Sequence, residues 1–137
     1  MACFLVGAAE AVVVTVAANI VHKNELRKEA EMAAHPTAAE AIEEQNRIPW
    51  SRKLRWLSWL LWGGVLLLAY EHVWHGEVVP WFPFLTAMSD PGDASEMFHE
   101  MATIGVTMCV IVTAVWAIIC AVADAIVKRM RRASAAA

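Results

Sequence analysis

The sequence predicts an all-α integral membrane protein with three transmembrane helices, its amino terminus outside the cell and its carboxyl terminus in the cytoplasm. The chain has 137 residues, of which 59% are apolar, whereas globular proteins average about 45–50%. The apolar residues form three runs of about 20 residues, the length with which a helix crosses the bilayer. All 11 Lys and Arg residues lie in two segments on one side of these runs. A chain of this length holds a single membrane domain, residues 1–137.

The three apolar runs cover residues 2–21, 56–74 and 101–123. Within lipid, a helix satisfies every backbone polar group inside one segment, which favours three spanning helices. A signal peptide is the alternative interpretation of the first run, but it would need a basic start and a small-residue cleavage site. No Lys or Arg precedes Lys23. We therefore expect the first run to be kept as a membrane helix.

The basic residues predict the orientation of the chain. Seven of them lie in residues 22–55 and four follow the third run, whereas residues 75–100 contain none and are rich in Asp and Glu. The positive-inside rule places residues 22–55 in the cytoplasm as a helical loop, together with the carboxyl tail, and residues 75–100 outside. The sequence thus predicts a multi-pass protein of the plasma or inner membrane, with the lipid bilayer as its surroundings.

The loops also contain helix signals. The first helix is predicted to continue to about Ala34, before His35-Pro36, and a second piece to run from Thr37, which forms a capping box with Glu40, to Asn46. Alternating charges in residues 24–46 indicate a solvated face or a docking surface for a soluble cytoplasmic partner. The third helix is predicted to start at a capping box on Asp93 or, one turn earlier, at Asp90-Pro91.

Histidines and carboxylates near residues 71–100 are the clearest candidates for chemistry. His72 and His75 are three residues apart and share a helix face, and the antiparallel third helix should bring His99 to the same depth. Imidazoles with carboxylates suit zinc, iron, manganese or, with the nearby methionines, copper. A haem b held by the same histidines is an alternative, and so is an interfacial cluster that water satisfies. The predicted metal site comprises His72, His75, His99, Glu71, Glu77 and Glu100.

The predicted first and third spans contain an acid, Glu10, and two stripes of small residues. An acid near the middle of a span is expected to be protonated, paired or turned toward protein, unless the helix is shifted outward. Small residues every four positions let helices approach closely and suggest a homo-oligomer or a larger membrane complex. The predicted packing positions are Gly7, Ala11 and Thr15 on the first helix, and Gly105, Cys109, Thr113 and Ala117 on the third.

The absence of known catalytic motifs favours a non-catalytic role. The sequence contains no phosphate-binding glycine loop, CxxC, CxxCH, GxSxG or HExxH pattern. The basic tail adjoins a span, so anionic lipid rather than nucleic acid is its expected neighbour. We expect a membrane accessory protein or complex subunit with a metal site at the outer face. The alternatives are a haem-binding electron-transfer subunit and a cofactor-free structural or assembly subunit.

Overall fold

The computed structural model describes residues 2–34 and 48–135, and this part of the chain is helical apart from short connections. Helix α1 covers Phe4–Ala34 and α2 covers Trp50–Trp74. A 3₁₀ turn at Thr86–Ser89 precedes α3, Pro91–Glu100, and a π-helical turn, Met101–Gly105, joins α3 to α4, Val106–Ala135. The described residues form no β-strand beyond one isolated bridge, Val78 to Leu85. The predicted all-α class is confirmed.

Within residues 2–34 and 48–135, two helices are long and apolar enough to cross a membrane: α1, and the continuous helix from Pro91 to Ser134. Only 11% of the most apolar stretch of α1 is buried, and only 6% of that of the second helix. A helix in the core of a soluble protein would bury most of such a stretch. These helices instead present their apolar side chains outward.

Carboxylate side chains accept hydrogen bonds from backbone amides at the start of two helices. Asp90 precedes Pro91, and its Oδ1 accepts a hydrogen bond from the amide of Gly92 at 2.7 Å, so the structure uses the earlier of the two predicted starts. At the start of α2, the amide of Ser51 donates to Oε1 of Glu25 on α1 at 3.3 Å. The predicted helix from Thr37 to Asn46 lies outside the described residues.

Helices α1 and α2 pack against each other along most of their lengths, and α4 lies against both. The central contact consists of Ala11, Leu57 and Leu61, each no more than 4% exposed, with Val112 and Trp116 of α4 packed against it. Ala11 has only a methyl group, so it lets the backbone of α1 approach α2 closely.

A second buried cluster closes the end of the bundle where α1 begins and α2 ends, which we call the loop end. Ala2, Ala87 and Met97 are buried there, with Phe4, Leu85 and Met101 around them. This cluster fastens the beginning of α1 to the 3₁₀ turn and to α3. The opposite end, where α2 begins and α4 finishes, is called the tail end.

Candidate functional site

An open pocket of about 240 Å³ lies at the loop end, and its lining is polar. Glu71, His72, His75 and Glu77 surround it. The last turn of α2 carries Glu71 and His72, and His75 directly follows the helix as its C-cap. Glu77 comes after Gly76, whose φ of +71° is readily adopted only by glycine. The turn brings Glu77 back over the end of its own helix, where its amide donates to the carbonyl of His72 at 2.9 Å.

Both imidazoles of the pocket are oriented by the backbone of α2. Nδ1 of His72 lies 2.7 Å from the carbonyl oxygen of Leu68, and Nδ1 of His75 lies 2.9 Å from that of Glu71. A carbonyl only accepts hydrogen bonds, so in each ring Nδ1 carries the hydrogen. In the neutral ring Nε2 then has the free lone pair, which is the form that ligates metals.

His72 has the more enclosed position of the two. It is 9% exposed, and the ring of Phe4 meets its imidazole edge-on at 5.3 Å. Its Nε2 lies 3.7 Å from Oε2 of Glu77. This separation allows an ion pair when the imidazole is protonated, or a shared ligand between the two groups when it is neutral.

The structure does not bring all six predicted metal ligands to this pocket. His99 and Glu100 lie on α3 and do not line it. His99 is exposed, and its carbonyl accepts from the hydroxyl of Thr103. No group of three or more His, Cys, Asp or Glu side chains within residues 2–34 and 48–135 is arranged to hold a metal ion. The metal site and its haem alternative remain predictions.

Glu10 lies inside the bundle, where α1 faces α4. The hydroxyl of Thr113 donates to its Oε1 at 2.8 Å, whereas Oε2 is buried and has no hydrogen-bond partner. The thiol of Cys109, one helical turn before Thr113, donates a hydrogen bond to the same carboxyl group. The acid is thus turned toward protein, in contact with neutral groups.

The two predicted stripes of small residues lie at contacts between helices of the same chain. Gly7 faces Val65, Ala11 is fully buried against α2, and Thr15 bonds to Ser58. On the other stripe, Gly105 faces Val6, and Cys109 and Thr113 face Glu10. Ala117, at the end of this stripe, is exposed. Most of these positions are therefore occupied by internal packing.

The sequence did not predict an ion pair that the structure contains at the tail end. Nζ of Lys53 on α2 lies 2.6 Å from Oδ2 of Asp124 on α4, and the lysine side chain is 7% exposed. In the sequence, Lys53 is one of the seven basic residues of the predicted cytoplasmic loop, with no indication of a partner. The available signal was Asp124 itself, which directly follows the third apolar run and is the only acid beyond Glu100.

Comparison with known proteins identifies no relative. No protein-family model, no curated protein and no solved structure matches the chain.

Proposed function

We propose that this chain is a small integral membrane accessory protein, or a subunit of a membrane complex, that crosses the cell membrane three times. The observation that carries the proposal is the arrangement of polar and apolar groups in the bundle. Apolar side chains cover the outside of α1 and of the helix from Pro91 to Ser134. Polar side chains instead bond between helices, Thr113 to Glu10 and Thr15 to Ser58. Such an inverted arrangement suits a lipid environment.

Helix α2 is the third span in this proposal. It has 25 residues, enough for about 37 Å of helix. Leu60, Leu66 and Leu67 are 44%, 67% and 74% exposed along its length. Exposed tryptophans lie toward both ends, Trp50 and Trp59 at one and Trp74 at the other, as expected for the two interfaces of a bilayer.

Charge favours one orientation of the three spans. The chain has no Lys or Arg between Arg55 and Lys128, the segment that forms the loop end. By the positive-inside rule the loop end faces outward, and the tail end, which carries the basic residues, faces the cytoplasm. Helix α1 packs on both other long helices, which supports its retention as a membrane helix.

Cysteine labelling in intact cells tests this topology. Ser89 and Ser134 are both exposed, at the loop end and in the tail. In a background with Cys3, Cys109 and Cys120 changed to Ala, Ser89→Cys is expected to react with a membrane-impermeant maleimide from outside. Ser134→Cys should react only after permeabilisation. Reaction of both from outside, or the reverse pattern, would contradict the proposal.

The role as a subunit has its own test, because a subunit must have a neighbour. Exposed apolar residues of α4, such as Ile111, Ile118 and Val122, offer a surface for a second copy or another membrane protein. Photocrosslinkers at these positions in native membranes should give discrete products of higher mass. A crosslinker at Ser134 in the tail is the matched control. Only monomer from the three helix positions would refute this part of the proposal.

The loop-end pocket supports metal binding as a second, narrower function. Two imidazoles and two carboxylates line one opening, and this set of side chains suits zinc or a similar divalent transition metal. For a metal ion to be held, the exposed side chains of His75 and Glu71 would rotate toward His72 and Glu77. The polar lining is unlike the apolar slot that haem occupies, so a haem b site is the less favoured form of this function.

Metal content after purification tests the pocket. We expect Co²⁺ or Zn²⁺ to bind the wild type and the His99→Ala variant, since His99 does not line the pocket. The His72→Ala/His75→Ala variant should lose the metal. Equal metal content in all three proteins would refute the site. An absorption spectrum of the same samples checks haem, which would give an intense Soret band.

A further inference from the structure

The two carboxyl oxygens of Glu10 have different surroundings. Oε1 accepts from Thr113 at 2.8 Å, and Oε2 is buried without a hydrogen-bond partner. Folded proteins leave few buried polar atoms unpartnered. An ionised carboxylate offers only acceptors, so a buried and unpartnered Oε2 would carry negative charge with nothing to compensate it. A protonated carboxyl group is neutral, so a buried Oε2 that bears the hydrogen costs less free energy than a buried charge, and Oε1 remains the acceptor for Thr113.

The groups around Glu10 are neutral. From α4 they are the Thr113 hydroxyl and the Cys109 thiol. On α2, Val65 lies against Gly7, one turn before Glu10. Among the described residues, the ion pairs shown do not include Glu10.

The two pairs of titratable side chains shown at the ends of the bundle lie at other depths than Glu10. Toward the loop end, Phe4 contacts His72 of the His72–Glu77 pair, and the six residues from Phe4 to Glu10 span about 9 Å of helix. Toward the tail end, Asp124 lies 11 residues beyond Thr113 on one helix, about 16 Å away.

Asp124 provides the contrasting case within the same bundle. It also has one buried, unpartnered oxygen, Oδ1, but its Oδ2 meets the ammonium group of Lys53 at 2.6 Å. The charge of an ionised Asp124 is therefore compensated by a neighbouring cation. The bundle thus holds two acids that each have one buried, unpartnered oxygen. Asp124 contacts a cation, whereas the contacts shown for Glu10 are a hydroxyl and a thiol.

We infer that Glu10 is a proton-binding site inside the membrane, with the bound hydrogen ion on Oε2 and the Thr113 hydroxyl on Oε1. The inference goes beyond the accessory role and rests on the membrane placement proposed above. It assigns to this chain a group of the kind that proton-coupled membrane proteins use. Cys109 and Thr113 position the carboxyl group.

Infrared spectroscopy of the full chain in phosphatidylcholine vesicles at neutral pH tests the inference. The wild-type spectrum minus that of Glu10→Gln should contain the C=O band of a protonated carboxylic acid. Glutamine keeps the shape of the side chain and an oxygen that accepts from Thr113, so the fold should be retained. The corresponding difference for Asp124→Asn should contain carboxylate bands. Carboxylate bands in the Glu10→Gln difference would overturn the proton site.

A hydrophobic carbodiimide gives an independent readout, because it reacts with protonated carboxyl groups in apolar surroundings. Peptide mapping of treated vesicles should show an adduct on Glu10 at least about tenfold above that on Asp124. Absence of the Glu10 adduct would overturn the inference. Flotation with the vesicles reports the membrane placement separately. Protein that does not float refutes that placement, whereas floating protein without the adduct refutes the proton site alone.

Discussion

Lys53 and Asp124 form a close ion pair between α2 and α4, with 2.6 Å between Nζ and Oδ2. The lysine is enclosed: its ammonium group lies 5.0 Å from the ring centre of Trp50. The indole of Trp116 donates to the backbone carbonyl of Lys53 at 2.7 Å. The pair therefore fixes the start of α2 against the last part of α4, at the tail end.

Removing one partner of this pair should destabilise the fold strongly. Lys53→Ala leaves Asp124 without its cation, and breaking a buried pair in this way costs about 3–5 kcal/mol. Since the Asp124 side chain is 35% exposed, we expect the lower part of that range. Unfolding in mixed micelles measures the loss.

The control for this prediction is Arg52→Ala, one residue earlier on α2. It removes the same charge from an exposed side chain and should change stability by no more than about 0.5 kcal/mol. The double variant Lys53→Met/Asp124→Leu should recover much of the loss, because an apolar pair replaces the ion pair. Equal stability of the two alanine variants would show that the pair contributes nothing.

Thr15 and Ser58 should show energetic coupling between α1 and α2. The Thr15 hydroxyl lies 2.7 Å from the Ala11 carbonyl, 2.7 Å from the Ser58 hydroxyl and 3.1 Å from the indole nitrogen of Trp62. A double-mutant cycle with Thr15→Val and Ser58→Ala is expected to give a coupling of about 0.6 kcal/mol, the average for such bonds in membranes.

The matched control for the cycle is Thr107→Val. The hydroxyl of Thr107 is exposed and donates to the Thr103 carbonyl within its own helix. Paired with Ser58→Ala, this variant should show additive effects, because the two sites share no contact. Additivity in both cycles would mean that the Thr15–Ser58 bond does not hold the helices together.

The sequence was sufficient to predict the helical class, because lengths of apolar runs and helix-start signals are local properties. Asp90, for example, combines a carboxylate with a following proline, and the structure uses both at the start of α3. The predicted number of three spans is not shown in the same way. The tryptophans of α2 are amphipathic and weaken its apolar signal, so the structure shows two helices that pass as spans by length and composition.

The candidate site was harder to predict because it depends on which faces the helices present to each other. Shared depth suggested that His99 joins His72, but His99 does not line the pocket. The turn after Gly76 brings another predicted ligand, Glu77, to His72. The sequence pattern likewise indicated no partner for Lys53. Its partner, Asp124, lies 71 residues away along the chain, and only the packing of α4 on α2 reveals the pair.

Glycine positions provide a prediction about close packing between α1 and the π-helical turn. A Cβ atom on Gly105 would lie 3.0 Å from Cγ2 of Val6, whereas one on Gly64 would meet nothing within 4 Å. Gly105→Leu should therefore destabilise the fold by about 1–3 kcal/mol through overpacking. Gly64→Leu should be neutral or stabilising, since leucine favours a helix over glycine. Similar unfolding midpoints for both variants would contradict the packing.

Met97 should be the most sensitive position of the loop end. It is 2% exposed and lies between the beginning of α1 and the 3₁₀ turn, in contact with Ala2 and Ala87. Met97→Ala leaves a cavity in this cluster and is expected to cost about 2–5 kcal/mol. Met88→Ala, in the same region but 54% exposed, is the matched control and should have little effect.

Met97→Ala should loosen the structure locally, at the loop end. Because the cluster fastens the first residues of α1, Met97→Ala should increase the reactivity of Cys3, which is buried at that end. Cys120, buried near the tail end, should keep its wild-type reactivity. Thiol labelling followed by mass spectrometry measures both in one sample. Equal increases at Cys3 and Cys120 would indicate global unfolding, and unchanged Cys3 would show that α1 is held there by other contacts.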